Sequence, residues 1–72
     1  MIIIFYRKTS FEWNTEGEKQ FKRQLFKESV DCFTKAIDMN PKESSFYENR
    51  ARAYYSLKKY HDSIVKTILY KN

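Results

Sequence analysis

Apolar and aromatic positions recur at helical spacing in four stretches of the chain. Thr9-Ser10-Phe11-Glu12 has the form of a capping box, with Thr9 as N-cap and Glu12 reaching back from the third helical position. Behind it Trp13, Gly17 and Phe21 follow at intervals of four, which predicts a helix ending near Arg23 or Gln24. A second helix is predicted from about Phe26 to Met39, with Val30, Phe33, Ala36 and Ile37 on one face. Asn40-Pro41 stops it, because the proline ring disfavours helical geometry in the residue before it. A third begins at Ser45-Phe46-Tyr47-Glu48, again with capping-box spacing, and carries Tyr47, Ala51, Tyr54 and Tyr55 to about Leu57. A fourth runs from His61 or Asp62 through Ile64, Val65, Ile68 and Leu69. One Gly and one Pro in 72 residues argue against a turn-rich β-fold, so the chain reads as all-α.

The four segments are two copies of one unit. A shift of 34 residues pairs Trp13 with Tyr47, Gly17 with Ala51 and Phe21 with Tyr55. It also pairs Phe26 with Tyr60, Glu28 with Asp62, Ser29 with Ser63 and Val30 with Ile64. Each pair keeps size or character, and the small residues fall where two helices of a pair must approach closely.

At that period, and with helix–turn–helix units, the sequence resembles the tetratricopeptide repeat (TPR) family. Trp13, Gly17, Phe26, Phe33, Ala36 and Pro41 follow the family pattern in the first copy, with Ser29 in place of the usual small alanine. In the second, Tyr47, Ala51, Tyr54, Tyr60, Ser63 and Ile64 do so, and the resemblance covers roughly residues 11–66. It implies an α-solenoid fragment of about four antiparallel helices. An apolar extension (1–8) would precede a first repeat (9–42) and a second, truncated one (43–72). Gln20 departs from the pattern, as do Thr67 and Tyr70 when compared with Phe33 and Ala36. Solenoids of this kind usually need three or more repeats and polar caps. The expectation is therefore an open edge at Ile64, Val65, Ile68 and Leu69. The chain would be a fragment, an alternatively ended product, or a protomer that self-associates through that edge.

The resemblance also implies a concave groove lined by the first helix of each repeat. The candidate partner-binding residues are Asn14, Glu18, Phe21, Lys22, Asn49, Arg52 and Tyr55, flanked by Phe11, Thr15, Ser45, Glu48 and Ser56. Phe21 and Tyr55 would bury or stack on a partner side chain, while Asn49 and Arg52 would hydrogen-bond an extended peptide or its carboxylate. Arg50, one step round the helix, would support rather than contact. The expected activity is that of a non-enzymatic protein–protein interaction module.

A narrower alternative is the carboxylate clamp with which some TPR co-chaperones hold the acidic tails of heat-shock chaperones. Tyr47-Glu48-Asn49-Arg50-Ala51 looks like the clamp segment, and Asn49 matches a clamp asparagine. Asn14 stands where the clamp has lysine and Glu18 where it has asparagine, and Glu18 would repel an incoming carboxylate.

Charge adds a further alternative. The net charge is +5, with eight Lys/Arg against seven Asp/Glu in residues 1–43 and six against two in 44–72. A positive second half favours an acidic partner, and Arg50, Arg52, Lys58 and Lys59 among tyrosines would suit a basic helical-repeat nucleic-acid binder. The aromatic positions coincide with repeat core positions, which weighs against nucleic acid. No phosphate loop, second histidine or paired carboxylate in an apolar setting supports an enzyme. Cys32 and His61 are too few for a metal site, and no cofactor is expected. Cys32 is expected as a packed thiol and His61 as a surface residue at the start of the last helix. Met1-Ile2-Ile3-Ile4-Phe5-Tyr6-Arg7-Lys8 lacks the layout of a secretory signal, and no stretch approaches the ~20 apolar residues of a membrane span. With a free thiol, the expected compartment is the cytoplasm.

Overall fold

The computed structural model describes the backbone of residues 7–70 and the side chains of residues 7–64. It contains three helices: α1 (Ser10–Lys22), α2 (Phe26–Met39) and α3 (Ser44–Tyr70). The first starts on a complete capping box, in which the Thr9 hydroxyl accepts from the Glu12 N–H (3.2 Å) and the Glu12 carboxylate accepts from the Thr9 N–H (3.0 Å). The turn into α2 is made by Gln24, a non-glycine residue in the left-handed region at φ 64°. Hydrogen bonds from Gln24 N–H to the Phe21 carbonyl and from Leu25 N–H to the Gln20 carbonyl, both 2.9 Å, hold it there. The second helix ends at Asn40, whose N–H donates to the Ala36 carbonyl, and the Tyr47 hydroxyl pins the next turn by donating to the Pro41 carbonyl at 2.8 Å.

The middle helix α2 supplies most of the core, because it packs on α1 with one side and α3 with the other, while α1 and α3 barely meet. Val30, Phe33 and Ala53 form one buried group with Phe21 against it; Ala36, Ile37 and Phe46 form another with Trp13. Gly17 lets α1 and α2 come together: a Cβ at that position would lie 2.6 Å from the Phe33 ring. Fully buried Ser29 donates to the Gly17 carbonyl at 2.9 Å, so its hydroxyl is paired.

Three expectations are corrected. The predicted third and fourth helices are one continuous helix of 27 residues. The first hairpin turns at Gln24, whose counterpart 34 residues on is Lys58. Leu57-Lys58-Lys59 contains no residue that favours the left-handed region, and leucine and lysine are good helix formers. The helix runs straight through, although Arg23-Gln24-Leu25 at the equivalent place in the first hairpin is no poorer in helix formers. It also begins at Ser44 rather than on a capping box at Ser45, whose hydroxyl donates instead to the Glu43 carboxylate at 3.0 Å. As a consequence of the fusion, the face read as the packed side of the second repeat is open. Ala51 is exposed, and Tyr47, Tyr54 and Tyr55 are 41%, 53% and 69% exposed.

His61 lies on the surface within α3 rather than at a helix start. The apolar extension up to Tyr6, and the side chains of Val65, Thr67, Ile68, Leu69 and Tyr70, lie outside the described residues. Among the described residues no helix is long and apolar enough to cross a membrane.

Candidate functional site

The layer order α1–α2–α3 leaves a cleft where α1 and α3 diverge across α2. It has a volume of about 410 Å³ and is lined by Glu18, Phe21 and Lys22 of α1, Phe33 of α2, and Asn49 and Arg52 of α3. Spacing explains the membership: Glu18, Phe21 and Lys22 lie within one turn on one face of α1, and Asn49 and Arg52 are three apart on one face of α3. Phe21 and Phe33 make an apolar floor, with Phe21 edge-on to Phe26 at a centroid distance of 5.3 Å. The rim carries one carboxylate, one ammonium and one guanidinium. A partner side chain could thus be buried on the floor while its carbonyls or carboxylates meet donors at the rim.

Asn14 sits behind the cleft as a brace. The Asn49 side-chain amide donates to the Asn14 side-chain oxygen at 2.9 Å, and the Asn14 amide donates to the Glu18 carboxylate at 3.2 Å. The Asn49 amide that would otherwise reach a ligand is therefore tied to α1, and Glu18 is held in place on the opposite wall.

Of the sequence candidates, Glu18, Phe21, Lys22, Asn49 and Arg52 come together around the cleft, and Asn14 is one bond behind. Tyr55 does not join them. It is not among the lining residues and is 69% exposed. Phe33 is the lining residue that sequence reasoning assigned only to the core; it serves both, because its ring is seated on Gly17 and its edge closes the cleft floor. Arg50 is half-buried and structural, donating to the Thr34 hydroxyl at 3.4 Å with its guanidinium 5.7 Å from the Tyr47 ring. Of the flanking positions, Phe11 stacks edge-on with Phe46 at 5.3 Å and the Thr15 hydroxyl donates to the Phe11 carbonyl. Glu48 is exposed and Ser56 half-buried.

A second cleft, of about 430 Å³, lies at the other end of the α1–α2 layer between Arg7, Lys8, Trp13 and Met39. The Trp13 ring there has the Lys8 ammonium at 4.6 Å and the Lys35 ammonium at 4.4 Å from its centroid. Cys32 is buried, and desolvation pushes its thiol above the ordinary value, with the nearby Glu16 charge adding to the shift. That is the state of an inert packed thiol rather than a nucleophile. Among the described residues no group of three or more His, Cys, Asp or Glu side chains is placed to hold a metal ion.

Comparison with known proteins gives a consistent result. A family model described as "Tetratricopeptide repeat" matches residues 32–64, from the middle of α2 into α3. Human RNA polymerase II-associated protein 3 is 42% identical over 45 residues, which is 62% of this chain and 7% of that protein. Human small glutamine-rich tetratricopeptide repeat-containing protein beta is 39% identical over 49 residues, covering 68% of this chain and 16% of that protein. The human mitochondrial import receptor subunit TOM70 is 38% identical over 50 residues, covering 62% and 8%. The chain thus spans less than a fifth of the length of these relatives. No solved structure matches.

Proposed function

Since this chain belongs to the tetratricopeptide repeat family, a family of protein-interaction modules, we propose that it holds an extended peptide segment of a partner protein in the cleft between α1 and α3. The observation that carries this reading is the composition of the cleft: an aromatic floor of Phe21 and Phe33 inside a polar rim of Glu18, Lys22, Asn49 and Arg52. An extended peptide presents alternating side chains and a row of carbonyls. One apolar side chain would sit on the floor, while Lys22 and Arg52 donate to carbonyls or an acidic side chain alongside it. No step of this is chemical; the module would act by binding alone. Two of the relatives, a polymerase-associated protein and an import receptor subunit, carry names compatible with a binding role.

Charge decides the preferred ligand. The rim carries two cations and one anion, so a peptide with isolated acidic residues is favoured over a basic one. A carboxylate-clamp mode is the weaker version of the same reading, because Asn14 binds Glu18 and Asn49 rather than offering a cation, and Glu18 lines the cleft itself. Selection of a short random-peptide library on the 72-residue chain tests the proposal. Enriched peptides should bind with micromolar affinity and lose it on Phe21→Ala or Arg52→Ala. Enrichment of no peptide sensitive to either substitution would remove the cleft as the binding site.

A further inference from the structure

The straightening of α3 strands two surfaces that the first hairpin keeps together. In that hairpin α1 offers a cradle, Trp13, Gly17 and Phe21; Phe26, Ser29, Val30 and Phe33 of α2 fill it around Gly17 and Phe21, and Ala36 and Ile37 pack with Trp13. The 34-residue repeat places the counterpart of the cradle at Tyr47, Ala51 and Tyr55, with Tyr54 beside them, and the start of the counterpart filling face at Tyr60 and Ile64. In α3 both are open to solvent: Tyr54 and Tyr60 are each 53% exposed, Tyr55 69%, and Ile64 41%. From Lys58 to Ile64 every residue is exposed, so this part of α3 projects past the α1–α2 layer as an arm. Within it, Tyr60 keeps an edge contact with Phe26 at 6.3 Å.

We propose that the cradle on α3 takes the arm of a second copy of this chain, joined head to tail. Three observations select this occupant. The first is the repeat itself, since the surface that fills the equivalent cradle in the first hairpin has its counterpart in the arm. The second is the turn that α3 lacks. Filling its own cradle would require this chain to break α3 near Lys58 and hold a lysine where the first hairpin has Gln24 at φ 64°, a conformation that costs an L-residue free energy. A second copy fills the cradle with the helix left intact.

The third observation fixes the symmetry. Ala51 and Tyr60 are nine residues apart, roughly two and a half helical turns, so cradle and arm face opposite sides of α3. One pair of copies cannot then satisfy both surfaces of each chain. The contact is heterologous, each copy giving its arm to one neighbour and its cradle to another.

Complementation between two blocked variants tests this. Ala51→Glu puts a charge in the cradle and Ile64→Glu puts one on the arm; both positions are exposed, so helix content and Trp13 emission should match the parent chain. In sedimentation velocity the parent chain should grow beyond a dimer as concentration rises, and each variant alone should associate about tenfold or more weakly. Mixed in equal amounts, the variants should form a one-to-one complex and nothing larger, through the intact arm of the Ala51→Glu chain on the intact cradle of the Ile64→Glu chain. A parent chain that stays monomeric at all concentrations would overturn the proposal. So would Ile64→Glu associating as the parent does, or a mixture in which no complex forms.

Discussion

Asn49 on α3 and Asn14 on α1 are joined by a side-chain hydrogen bond of 2.9 Å that spans 35 residues of sequence. Because α1 and α3 otherwise touch little, this bond ties together two cleft walls whose positions are set by their packing on α2. Replacing Asn49 with alanine removes one neutral, half-buried hydrogen bond and should cost about 1 kcal/mol in urea denaturation. A double-mutant cycle with Asn14→Ala should return a coupling of similar size, about 0.5–1.5 kcal/mol. Zero coupling would mean that the walls are spaced by α2 packing alone.

Gly17→Ala sets two effects of opposite sign against each other. Alanine is the better helix former by about 1 kcal/mol at an unconstrained helical position. Here its Cβ would lie 2.6 Å from the Phe33 ring, inside the contact limit, so the almost wholly buried ring must shift to admit it. Overpacking of this kind costs about 1–3 kcal/mol, so the variant should be less stable despite its propensity. Adding Phe33→Leu should recover part of the loss. A Gly17→Ala chain more stable than the parent in thermal unfolding would show that the α1–α2 spacing relaxes freely.

The same pair of residues shows what sequence could and could not reveal. The small residue at Gly17 and the apolar face of α2 were legible, because helix–helix approach leaves a spacing pattern, and the end of α2 was legible because Pro41 enforces it. The fusion of the last two helices was not. Periodicity treats the two repeats as equals, whereas the backbone turns at Gln24 and runs on through Leu57-Lys58-Lys59, although neither segment is poor in helix formers. Nor did the Gln24 turn advertise itself, since glutamine is an uncommon choice for positive φ. At the cleft, Glu18, Phe21, Lys22, Asn49 and Arg52 could be grouped through the resemblance to the repeat family, which implies a groove along the first helix of each repeat. Phe33 was hidden because a residue with a core assignment gives no second signal for a lining role, and Tyr55 falls outside the lining although it follows Arg52 by the same interval of three.

Burial of Cys32 gives a pH dependence with a definite sign. Its thiol is raised above the ordinary value in the folded chain, mainly by desolvation, so folding favours the protonated form. The stabilisation is fully present below the unfolded thiol's pKa and is lost as pH rises through the folded one. Stability of the parent chain should therefore fall at alkaline pH more steeply than that of Cys32→Ala, with the two curves parallel at neutral pH. Thiol-reagent labelling at neutral pH should likewise be slow and should track global opening rather than surface exposure. Rapid labelling of the native chain would contradict the packed position of the side chain.

Glu18 sets the charge preference of the cleft. It is held by the Asn14 amide and faces the same cavity as Lys22 and Arg52, so it partly cancels the field those cations present to a ligand. Removing its charge by Glu18→Gln keeps the size and the capacity to accept from Asn14. An acidic peptide that binds the parent chain should then bind more tightly by about two- to fivefold, the range expected for one solvent-exposed charge pair, and the gain should shrink as salt is raised. Arg52→Gln should act in the opposite direction by a similar factor, while a basic control peptide should show both effects reversed. Fluorescence anisotropy with labelled peptides at low and high salt measures all three. If Glu18→Gln left acidic and basic peptides unchanged relative to each other, the ligand would have to lie outside the reach of this carboxylate, and the cleft between α1 and α3 would lose its claim as the binding surface.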